Sequence, residues 1–202
     1  MRSLPARLGL SSAALVVANL VPLVAVALGW WSTYEVVLLF WAENVVIGVL
    51  QLLRFATVAA LAGKVAALGV AAFFALHYGM FTFVHGVFVA TLFAPGWSGD
   101  APPPGALALL LSPDGLLFGL GALAASHLLS YAVNFVGGGE YRRVEPTALM
   151  MQPYGRVAVL HLAIIFGGAL TTMLGEPAIA LVALVVLKIG LDLRAHLAEH
   201  RN

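Results

Sequence analysis

The chain has 202 residues, 62% of them hydrophobic and 9% charged, with a formal net charge of +1 and no cysteine. A charged share far below the usual ~25% leaves too little polar surface for a water-soluble domain of this length, so lipid is the expected solvent. The lack of thiols excludes disulfides, thiolate metal sites, iron–sulfur clusters and c-type haem attachment. With no basic stripe carrying interleaved aromatics, nothing points to nucleic acid.

Six apolar segments are each long enough to cross a bilayer, which takes roughly 20 residues of helix. The first, Leu8–Gly29, follows Arg2 and Arg7. It lacks a convincing cleavage site before Trp30, so it reads as a retained helix rather than a signal peptide. The second, Tyr34–Leu53, and the third, Val65–Phe93, are separated by a stretch holding Arg54 and Lys64. The loop Ala94–Asp114, with its Pro102-Pro-Pro104 run, is expected to be a stiffened connector, although Ala106–Leu111 is apolar enough to dip into the interface. The fourth segment is Gly115–Val136, closed by Gly137-Gly-Gly139, a helix-ending signal. The fifth and sixth are Arg156–Leu174 and Pro177–Leu193.

All ten Lys and Arg residues fall on one side of this arrangement, at Arg2, Arg7, Arg54, Lys64, Arg142, Arg143, Arg156, Lys188, Arg194 and Arg201. The opposite loops carry only Glu35, Asp100, Asp114 and Glu176. Cytoplasmic loops keep positive charge, and an even span count puts both termini on that same side. The expectation is an all-α bundle of six transmembrane helices in one domain, with both termini cytoplasmic. Membrane lipids are its immediate partners, and a homo-oligomer is compatible with the pattern. Trp30, Trp31, Tyr34 and Trp97 fall at the outer boundary, and Tyr141 and Tyr154 at the inner one, as interfacial anchors do. Glycines such as Gly115 and Gly119 allow close helix approach.

Ionisable groups at membrane depth are costly and usually face an interior, so they mark candidate function. Counted along each helix, Glu43, His77 and His127 fall near mid-depth on the second, third and fourth spans. Two imidazoles and a carboxylate are the ligand types of a hydrolytic zinc centre or a non-haem iron centre. On the fourth span His127, Ser130, Tyr131 and Asn134 form one stripe expected to face inward. His161, Lys188 and Asp192 form a layer nearer the cytoplasm. There Asp192 can ligate beside His196 or orient its ring, and His161 can supply a further ligand. The plainer alternatives are a structural hydrogen-bond network for the central group and a solvated helix end for His196 and His200. His85 lies eight residues beyond His77, on a different helical face, and is not assigned to the site.

Several motifs occur in order along nearly the whole chain. They are Trp41-Ala-Glu-Asn44, Phe73-Phe-Ala-Leu-His77-Tyr-Gly79, Val84-His-Gly-Val-Phe88, Ser126-His127 with Asn134-Phe135, Gly139-Glu-Tyr-Arg142, Pro153-Tyr-Gly-Arg156 with Leu160-His161, and Leu187-Lys188 with Asp192 and His196. This set resembles a family of bacterial integral membrane proteins catalogued as a domain of unknown function. The resemblance implies a bacterial cytoplasmic (inner) membrane location and transfers no activity.

Three functions compete. One is a metal-dependent intramembrane enzyme acting on a lipid or membrane-embedded substrate. It would use a divalent zinc or iron ion held by Glu43, His77 and His127, with His161, Asp192 and His196 contributing ligands or orientation. The second is a proton or metal-ion transporter using the two polar layers as stations. The third is electron transfer through b-type haem between His77 and His127. A structural membrane protein is the bland alternative.

Overall fold

A computed structural model describes residues 24–94, 105–112 and 116–166 apart from 156, 159 and 163, together with residue 182. Among them all regular structure is helical. The described residues divide into two compact units, one of residues 37–158 and one holding the described residues on either side of it.

Helix α1 (Thr33–Ala62) begins on a Ser-x-x-Glu capping box. Ser32 Oγ accepts the Glu35 N–H at 3.2 Å, and Glu35 Oε2 accepts the Ser32 N–H at 2.7 Å and its hydroxyl at 2.8 Å. Glu35, expected in an outer loop, is therefore part of the first turn. The helix also runs nine residues past the expected boundary at Leu53, because Arg54 does not stop a helix whose neighbours are good formers. It stops at Gly63, whose φ of +69° suits glycine alone, where the Lys64 N–H reaches back to the Val58 carbonyl at 3.4 Å.

Helix α2 (Ala66–Phe93) returns antiparallel after this short turn. Its buried residues Ala67, Phe74, Tyr78, His85 and Val89 recur at alternating seven- and four-residue steps and form one inward stripe. A short helix α3 (Ala106–Leu111) occupies the segment expected to be a connector. Helix α4 (Leu117–Ser130) passes without a break into a π-helical stretch, Tyr131–Gly137. Gly139, at φ +70°, turns the chain into α5 (Glu140–Arg143), and Pro146 opens α6 (Pro146–Met151) at a position that needs no N–H. Of the expected fifth span, residues 157–158, 160–162 and 164–166 are described and helical. The first and sixth expected spans lie essentially outside the described residues.

Among the described residues three helices are long and apolar enough to cross a membrane: Thr33–Ala62, Ala66–Phe93 and Leu117–Gly137. Their outward faces are strongly apolar, with Leu76 at 78%, Phe83 at 70% and Phe118 at 73% exposure. Water would not tolerate such a surface, whereas acyl chains would solvate it. The packed core of residues 37–158 joins the C-terminal half of α1 to the start of α2 and to the chain after α4, through Phe55, Val58, Phe74, Tyr78, Phe135, Tyr141 and Leu149.

Helices α1 and α2 are locked by two reciprocal contacts. The Tyr78 ring lies on Gly48 and its hydroxyl donates to the Asn44 carbonyl at 2.9 Å. The Trp41 indole lies on Gly86 and its N–H donates to the Thr82 carbonyl at 2.8 Å. Each helix thus sends one aromatic onto a glycine of the other and bonds a backbone oxygen there.

Candidate functional site

Glu43 stands ten residues into α1 and His127 ten residues into α4, about 15 Å along each axis. That is half the ~30 Å thickness of a hydrocarbon core. Imidazole Nε2 of His127 lies 3.1 Å from Glu43 Oε1. The carboxylate side chain is 7% exposed and the imidazole 23%. Burying a carboxylate costs several kcal/mol unless a partner compensates, and here the imidazole does so. The pair shares one hydrogen bond between two groups that can each take up and release a proton. Next to it, Asn44 is buried with its amide donating to the Phe40 carbonyl at 3.0 Å.

The histidines of α2 are placed differently from the depth count. Because α1 continues to Ala62, α2 starts deeper than a boundary at Leu53 implies. Tyr78 meets Gly48, five residues beyond Glu43, so His77 sits about 9 Å further along the axis. Its Nδ1 lies 2.7 Å from the Tyr154 hydroxyl, and its ring stacks on Phe73. Burial raises the Tyr154 phenol above its ordinary value of 10.0, so its hydroxyl stays neutral and exchanges one hydrogen bond with the imidazole. The α2 histidine level with Glu43 is His85, held between the Thr82 and Gly86 contacts of Trp41. It is 2% exposed, with Nδ1 at 2.6 Å from the Phe81 carbonyl. Sequence spacing alone could not find this, since the offset depends on where α1 ends.

The expected stripe on α4 is only partly inward. Tyr131 bonds Thr57 at 2.6 Å, but Asn134 is exposed and donates to Ser130 at 3.3 Å, while Phe135 is buried. A π-helical turn holds more residues than an α-turn and rotates the inward face from Asn134 to Phe135. Among the described residues no group of three His, Asp or Glu could hold a metal ion. His161 is half-buried in the other unit. Asp192 and His196 lie outside the described residues. His77 and His127, the pair considered for haem, bond Tyr154 and Glu43 respectively.

At the far end of the same helices the basic residues gather. Lys64 pairs with Glu145 at 2.7 Å and donates to the Val144 carbonyl at 3.0 Å. Arg54 donates to Gln152 at 3.2 Å and lies over the Phe135 ring. Gln51 donates to the Leu149 carbonyl. Arg143 donates to the Gly138 carbonyl at 3.2 Å, and Arg142 stacks on Tyr141. The mid-depth pair and this cationic end are separate features of one helical group.

Apolar helices of spanning length around a buried carboxylate–imidazole pair mark a helical membrane protein. Within that class the chain belongs to a family of unknown function (DUF6498), whose pattern matches residues 1–202. No curated protein and no solved structure matches it.

Proposed function

We propose that this protein is a proton-coupled transporter of a bacterial cytoplasmic membrane, with Glu43 and His127 as its proton-exchanging station. The observation that carries this reading is the 3.1 Å contact between two titratable groups on separate spanning helices, ten residues in from the same end of each. Such groups are rare at membrane depth and mark proton and ion pathways. Imidazole is the side chain whose ordinary titration falls nearest neutral pH. The fold around the station is a six-span bundle with both termini inside, supported by the placement of all ten Lys and Arg residues. A second copy of the chain could complete a pathway that one bundle lacks.

The direct test is flux in sealed liposomes carrying a pH-sensitive dye. A pH gradient should dissipate at least tenfold faster with the wild-type chain than with Glu43→Gln or His127→Ala. Equal rates for all three, or no rate above empty vesicles, would overturn the reading. Orientation is checked by single cysteines, which this thiol-free chain allows. A membrane-impermeant maleimide should label Ser112→Cys from outside and Thr147→Cys only after permeabilisation, and the reverse pattern inverts the topology.

A metal-dependent enzyme is the second reading, favoured by the same contact, since carboxylate and imidazole are both metal ligands. It needs ligands beyond this pair, because a bound divalent ion takes at least three protein ligands. Elemental analysis separates the two: a stoichiometric divalent ion that Glu43→Gln removes favours the metal, and a metal-free chain with intact flux favours the transporter.

A further inference from the structure

The α1–α2 contact leaves two polar atoms without a use. Asn44 Oδ1 and Thr82 Oγ1 are buried and have no hydrogen-bond partner among the described residues. Asn44 is 7% exposed, and its amide group is already committed to Phe40. These are also the two residues whose carbonyls receive the reciprocal aromatic donors, Tyr78 onto Asn44 and Trp41 onto Thr82. On α2, Tyr78 and Thr82 are one turn apart on one face, and on α1, Trp41 and Asn44 are likewise neighbours. The two unused oxygens thus belong to the two residues whose carbonyls receive the cross-helix bonds.

An unpaired buried amide oxygen or hydroxyl costs about 1–3 kcal/mol, and natural interiors rarely leave two in one helix contact. We propose that one water molecule is bound in this interface, donating to Asn44 Oδ1 and exchanging a hydrogen bond with Thr82 Oγ1. The chemistry selects a small neutral donor. A metal ion would require several more oxygens than these two, and the helix carbonyls beside them already accept both a helical N–H and an aromatic donor. Buried waters of this kind hold two to four polar partners, which this site supplies at the lower bound. The inference rests on the α1–α2 contact and is independent of proton transport.

Infrared spectra of the full chain in lipid nanodiscs test it. The wild type should show a sharp O–H band of a buried water that shifts down in H2 18O, and Thr82→Val and Asn44→Ala should each lose it. Absence of the band in the wild type, or its persistence in both variants, would overturn the proposal. Thermal unfolding gives a second readout that involves no flux. If the water is shared, isosteric Thr82→Val lowers the melting temperature, and its effect does not add to that of Asn44→Ala. If Thr82→Val raises the melting temperature, the hydroxyl was buried unpaired and the water is not there.

Discussion

Glu43 and His127 depend on each other. Removing one member takes a hydrogen-bonded partner from the other buried group, at a cost of about 1–3 kcal/mol. His127→Ala should therefore destabilise the protein by about that amount, while Glu43→Gln, which keeps the volume and can still accept from the imidazole, should cost less than half as much. Reversible unfolding in mixed micelles measures both, and the double variant should recover part of the His127→Ala loss. Tyr154 offers a separate check through pH. Its folded phenol titrates above the ordinary 10.0, so above that value the unfolded chain has lost a proton that the folded chain keeps. Stability from this group is intact below pH 10.0 and falls as pH rises from there through the folded value. Tyr154→Phe should flatten that alkaline decline in a pH series of melting temperatures, while losing the bond to His77 at neutral pH.

Between elements, the two aromatic-on-glycine contacts decide how closely α1 and α2 approach. A Cβ at Gly48 would come 2.6 Å from the Tyr78 ring, and one at Gly86 would come 2.9 Å from the Trp41 ring. Gly48→Ala and Gly86→Ala should each cost about 1–3 kcal/mol, as overpacking does. Gly79, whose Cβ would meet nothing within 4 Å, is the control, and Gly79→Ala should be near neutral. Measured unfolding of the three variants should rank them in that order. The sequence showed these helices well: α2 begins one residue after the expected Val65, and α4 with its π-helical end closes at Gly137, one residue past the expected Val136. It misplaced the end of α1 because a lone Arg54 was treated as a boundary, whereas Gly63 with its positive φ is the true stop. That error propagated. It set His77 level with Glu43 when the actual register gives that level to His85. The inward turn of Asn134 was misjudged for a different reason, since a π-helical stretch leaves no signature in apolar periodicity.

Across the whole molecule the charge distribution is the most legible feature. Arg54, Lys64, Arg142 and Arg143 come from three separate segments, and within residues 37–158 their contacts all fall where α1 ends, α2 begins and α4 exits. Most of those contacts involve exposed partners, as with Lys64 and Glu145 at 29% and 69% exposure, so they contribute little to stability. Under the proposed topology these cations mark the cytoplasmic side. Partner identities such as Tyr154 for His77 and Thr57 for Tyr131 were not legible, because they join segments 77 and 74 residues apart with no shared pattern. Whether Glu43 and His127 act as one acid–base unit is read most directly by nitrogen-15 NMR of histidine-labelled protein in lipid bilayers. Glu43→Gln should move the Nε2 resonance of His127 by several ppm and leave that of His77 in place. An unchanged His127 resonance would show that the two side chains do not share a proton, and the proposed station would fall.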